Sequence, residues 1–131
     1  MSDNDETTEP AAPQKWVVAI PVTPDEFVDP RFGRAPDVAI ATVEDGAVVD
    51  WRVEHVGWDV LHDSSEHGQH HARVVRFMVA NHVTAVGATE IGGGMLHSLH
   101  KLGPQIVLGV PTTMRARDAV VAIVRRLGED D

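Results

Sequence analysis

A tight hairpin followed by regular strand–helix alternation is the feature that most constrains what this chain can fold into. Residues 38–43 and 47–54 are β-rich runs joined by Glu44-Asp45-Gly46. An Asp-Gly pair tolerates the positive φ that a short hairpin turn requires. Trp51 and Val53 alternate with Arg52 and Glu54, the pattern of a strand with one wet face. Upstream, residues 16–22 form an apolar run that reads as a buried strand. Residues 23–35, broken by prolines and Gly33, read as a loop long enough to be functional.

Downstream the period turns helical. Over residues 68–81 it predicts a helix with Ala72, Val75, Phe77, Met78 and Val79 on its apolar face and Arg73 and Arg76 outside. A short strand follows at residues 83–87. Gly92, Gly93 and Gly94 then open a second helix, with Met95, Leu96, Leu99 and Leu102 inward and Gly103-Pro104 as its stop. Residues 106–110 read as a strand, and Thr112 or Thr113 as the cap of a last helix running to about Leu127 and ending at Gly128.

The expected order is β-β-β-α-β-α-β-α, an α/β fold with a five-stranded mixed sheet and helices on both faces. Right-handed crossovers make strands four and five parallel to the first. Loops 23–35, 88–94 and 110–113 then gather at the sheet edge where open α/β sheets commonly bind ligands. Topology alone leaves open whether the connection 55–66 folds over that edge.

The length, 131 residues, suits one domain, expected over residues 15–128, between a disordered acidic tail at 1–14 and a short acidic tail at 129–131. A net charge of -9 disfavours nucleic acid and anionic membranes as partners. The N-terminus is not a secretory signal and no apolar run approaches a membrane span, so the expected location is the cytoplasm.

Eight histidines accompany a complete lack of cysteine, and five of them fall between His55 and His71. Any metal must therefore be held by nitrogen and oxygen donors, or by sulfur that the ligand brings. His67, His70 and His71 stand at i, i+3 and i+4 on the first helix, with His62 just before them, and Asp63 or Glu66 as an oxygen donor. His97 and His100 repeat the i, i+3 spacing on the second helix. The alternative is a wet helix face; His55 and His82 read as structural.

Two further constellations lie in the gathered loops. Gly33 lets the backbone of Phe32-Gly33-Arg34-Ala35-Pro36 turn or approach a ligand, and Arg31 and Arg34 offer fork-shaped donors to an anion. The plainer alternative is a turn with two solvated arginines. Gly92, Gly93 and Gly94 leave backbone N–H groups free at a helix start, an anion site; close packing of helix on strand would require the same residues. The Gly-x-Ser-x-Gly elbow is absent and no carboxylate pair stands out, so nothing demands an enzyme.

Taken in order, Phe32-Gly33-Arg34-Ala35-Pro36, Glu44-Asp45-Gly46, His67-Gly68 and Ile91-Gly92-Gly93-Gly94 resemble the dinitrogenase iron–molybdenum cofactor biosynthesis family, from Val17 to Leu127. The resemblance implies a ribonuclease-H-like fold and a non-catalytic role, holding an anionic metal–sulfur cluster of iron and molybdenum in a loop cleft. Arg31, Phe32, Gly33, Arg34, Gly92, Gly93 and Gly94 would line the cleft; His62, His67, His70, His71, His97 and His100 are the candidate metal ligands. Proteins that donate or accept the cofactor would be its partners. Arg31 stands where carriers of the family often have His, and Gly93 replaces a common proline. Two alternatives are a divalent-ion sensor or store (zinc, copper or nickel), and a regulatory interaction module whose site has decayed.

Overall fold

The computed structural model describes residues 14–64 and 66–129, apart from the side chains of Ser64, His67 and Glu129. The expected N-terminal tail, except Gln14, and Asp130 and Asp131 lie outside the described residues. The elements are β1 (Lys15–Val22), β2 (Asp37–Glu44), β3 (Ala47–His55), α1 (Trp58–Ser64), α2 (His67–Ala80), β4 (Ala85–Gly87), α3 (Gly93–Leu102), β5 (Gln105–Val107) and α4 (Ala116–Glu129).

The five strands form one mixed sheet in the order β3-β2-β1-β4-β5. β1 and β2 pair antiparallel from Lys15↔Glu44 to Val22↔Asp37. β4 lies parallel to β1, and β5 parallel to β4, each reached through a helical connection. At the hairpin both central residues take positive φ, Asp45 at 51° and Gly46 at 85°, the geometry that matches strand twist. This is the α/β arrangement with a five-stranded mixed sheet that the sequence patterning leads one to expect.

Side-chain alternation on the central strands divides the interior into two layers. Val18, Ile20 and Val22 of β1 pack with Ala39, Ala41 and Val43 of β2 against Val120, Ile123 and Val124 of α4. Ala19, Val38, Ile40 and Val86 point the other way, against Trp58, Val74, Met78 and Leu99 of α1, α2 and α3. Burial on both faces explains why β1 is an unbroken apolar run.

Three local expectations are corrected. The connection 55–66 contains a helix, α1, too short to be stable by itself. It is held by Trp58, 2% exposed, whose ring lies edge-on to Phe77 at 5.3 Å. On α2 the buried stripe is His70, Val74 and Met78, whereas Ala72 and Val79 are exposed. Treating His70 as polar surface rotates the inferred apolar face away from the real one. Finally, α4 starts at Ala116 rather than at Thr112 or Thr113: Arg115 is held in a β-bridge with Phe27, and the helical ladder begins with the Ala119 N–H donating to the Arg115 carbonyl at 2.9 Å.

Candidate functional site

The loop after β1 ends in a left-handed turn at Gly33, φ +85°. That turn brings Phe32, Gly33 and Arg34 to the carboxyl end of the parallel strands. There they meet His62 of α1, His70 and His71 of α2, and Gly92, Gly93, Gly94 and Met95 at the start of α3. Together these four segments line an open cleft of about 330 Å³. The histidine-rich connection does fold over this edge of the sheet, bringing His62 to the cleft.

The α3 end of the cleft is a positive pole. Among the described residues no side chain caps the helix, and its ladder begins with the Leu96 N–H donating to the Gly92 carbonyl at 2.8 Å. The N–H groups of Gly93, Gly94 and Met95 therefore have no partner in the ladder. Gly94 is glycine for a steric reason: a Cβ there would lie 2.8 Å from His71 Cε1. Among the described residues nothing within 4 Å would meet a Cβ at Gly92 or Gly93. Close packing thus accounts for one of the three glycines, and its partner is a histidine rather than a strand.

His70 is 1% exposed, beneath the cleft. Its Nε2 lies 2.5 Å from the Gly33 carbonyl oxygen, and its Nδ1 accepts from Arg73 Nη1 at 2.8 Å. The ring stands edge-on to Trp58 at 6.2 Å and to His62 at 5.2 Å. Burial pushes its pKa down; the Gly33 bond works the other way, nearby positive charge adds to the burial effect, and the net position is below the ordinary 6.5.

On the rim, Arg34 donates from Nη2 to Asp63 Oδ1 at 2.9 Å, and the same oxygen lies 3.3 Å from His62 Nδ1. The His62 hydrogen bond, then the Arg34 charge, hold the Asp63 carboxyl below its usual range. Arg31 is turned elsewhere. The Asp29 carboxylate, 1% exposed, accepts from Arg31 N at 2.8 Å, Nε at 3.0 Å and Nη2 at 2.7 Å. Burial alone would raise the Asp29 pKa, but these bonds and the Arg31 charge outweigh it and lower it. Arg31 instead lines an adjoining depression with Arg34, Asp59 and Asp63.

Of the remaining candidates, His97 and His100 are exposed on α3 and do not line the cleft. The His67 side chain lies outside the described residues. Residues 110 and 111 face a separate apolar hollow against α4. Among the described residues no three His, Asp or Glu side chains assemble into an ion cage. Met95 was expected only as core, yet its side chain lines the cleft; its place one residue after the glycine turn is the signal for that.

The family model described as "Dinitrogenase iron-molybdenum cofactor" matches residues 14–126. The chain belongs to this family. Among solved structures it is similar to the crystal structure of PH0822, with 25% identity, 84% of this chain and 89% of that chain covered, and a TM-score of 0.66. It is also similar in fold to the apo form of the orange protein from Desulfovibrio gigas, at 18% identity, 85% and 88% coverage and a TM-score of 0.64. No curated protein matches the chain. Membership of the dinitrogenase iron–molybdenum cofactor family points to cofactor binding or carriage rather than catalysis. Among the described residues no helix is long and apolar enough to cross a membrane.

Proposed function

We propose that this protein binds and carries an anionic metal–sulfur cluster, of the iron–molybdenum type or a related one, in the cleft between residues 32–34, His62, His71 and the start of α3. The observation that carries this reading is the meeting of imidazoles, a guanidinium and an uncapped helix start around one open hollow. An anion there gains from the α3 dipole, from N–H groups without ladder partners and from Arg34. Imidazole suits iron and similar metals as a direct ligand, and the chain has no cysteine, so the sulfur belongs to the cargo. His62 and His71 are the metal donors of this reading. The cleft is open, which suits handover to an acceptor protein better than permanent storage.

The test is anaerobic reconstitution with iron, molybdate and sulfide, followed by metal analysis and absorption spectroscopy after gel filtration. The wild type retains metal and sulfide together. Retention falls strongly when His62→Ala and His71→Ala are combined. A wild type that keeps neither, or a double variant that keeps both undiminished, would overturn the reading.

A further inference from the structure

We infer that His70 is the positioning residue of this cleft and not one of its metal ligands: its ring ties the residue 32–34 turn and His62 to α2. The inference rests on the proposed carrier reading for its consequence, but on geometry for its substance.

Hydrogen-bond chemistry fixes the state of the ring. A guanidinium has donors and no acceptor, so Nδ1, 2.8 Å from Arg73 Nη1, must present its lone pair. The proton of the neutral ring is then on Nε2, which donates it to the Gly33 carbonyl at 2.5 Å. A metal ligand needs an unprotonated nitrogen aimed at the metal. Both His70 nitrogens are already engaged, on a ring 1% exposed.

The same contacts give the ring its purpose. Gly33 is the left-handed residue from which Phe32 and Arg34 diverge, so a bond on its carbonyl pins the turn that presents both. The edge of the ring rests on His62 at 5.2 Å and on Trp58 at 6.2 Å, the two aromatic anchors of α1. One imidazole therefore touches the loop wall and the α1 wall while belonging to the α2 wall. Outer partners of this kind commonly govern metal affinity by about 10- to 100-fold without touching the metal.

Two substitutions separate positioning from ligation. In His70→Gln the amide N–H₂ replaces the donor to Gly33 and the amide oxygen replaces the acceptor for Arg73; His70→Leu fills the space and supplies neither. In the metal-free protein, ¹⁵N-histidine NMR is expected to show His70 protonated on Nε2 alone. The His62 ring and Gly33 amide signals should stay near their wild-type positions in His70→Gln and move in His70→Leu. After reconstitution with iron, molybdate and sulfide, His70→Gln should hold the cluster within about threefold of wild type, and His70→Leu about tenfold or more weakly. Both should keep the wild-type absorption bands, because the ligand set is unchanged.

If His70→Leu does not fold, Arg73→Met serves instead: it leaves the ring held by the Gly33 carbonyl alone, should shift the Nδ1 signal and should weaken retention with unshifted bands. A ring protonated on Nδ1, His62 and Gly33 signals indifferent to His70→Leu, or bands lost in His70→Gln as in His71→Ala would each overturn the inference. A wild type that takes up no cluster would sink the carrier reading, while the metal-free spectra still decide whether His70 sets the cleft.

Discussion

Gly94→Ala separates the function of the cleft from the stability of the fold. The new methyl would stand 2.8 Å from His71 Cε1 and 3.7 Å from both ring nitrogens. Ordinary contact begins near 3.4 Å, so the imidazole must withdraw by about 0.6 Å or more to escape repulsion. The obstacle is the tip of a side chain with rotatable bonds, so the helix need not move. Alanine also gains up to about 1 kcal/mol over glycine in a helix, and less in its first turn. The melting temperature should therefore change by no more than about 3 °C in either direction. Cluster affinity should fall by about tenfold or more, since a displaced ligand loses its aim. Gly92→Ala and Gly93→Ala, whose Cβ would meet no described atom within 4 Å, are the stability controls and should melt near the wild type. Thermal melts with anaerobic cluster titration measure the pair of effects. A Gly94→Ala protein that binds normally would refute the assignment of His71 to the site.

Trp58→Ala removes the buried anchor of α1 and should cost about 3–5 kcal/mol in chemical denaturation, carrying His62 out of place with it. Gly33→Ala meets nothing closer than Met95 Cε at 3.7 Å, so backbone strain alone should cost about 1–2 kcal/mol, read as a lower melting temperature. Asp29 is held below its ordinary 3.8, so below pH 3.8 the unfolded chain takes up a proton that the native carboxylate resists. Its contribution to stability is complete above that pH and is lost as pH falls through the native value; Asp29→Asn should lack this step in acid denaturation. The metal-free protein should show an earlier decline below pH 6.5, where unfolded His70 protonates before the native ring does, and His70→Gln should flatten it.

The strands were legible because β1, β2 and β3 carry period-two or continuous apolar runs and Asp45-Gly46 marks their turn. Parallel pairing of β4 and β5 followed from the strand–helix–strand alternation, and with it the edge at which residues 32–34 and Gly92–94 meet. Three features stayed hidden because they depend on tertiary partners. α1 spans seven residues and owes its existence to the burial of Trp58, which no local period announces. His70 occupies an apolar stripe; Arg73 engages its Nδ1 from the next turn of the same helix, but the Gly33 carbonyl that takes its Nε2 lies 37 residues away. Arg31 has the chemistry of an anion donor but is claimed by Asp29 two residues away, a pairing visible only once the turn is folded. Residue type marks a candidate; position in the fold decides what each nitrogen faces.

X-ray absorption at the iron and molybdenum edges of the reconstituted protein tests the cargo and its attachment in one experiment. The expected spectrum contains sulfide scatterers together with imidazole nitrogen at the metal, and the nitrogen contribution drops when His62→Ala and His71→Ala are combined. A shell of nitrogen and oxygen alone, with no sulfide around the metal, would contradict the carriage of a metal–sulfur cluster in this cleft.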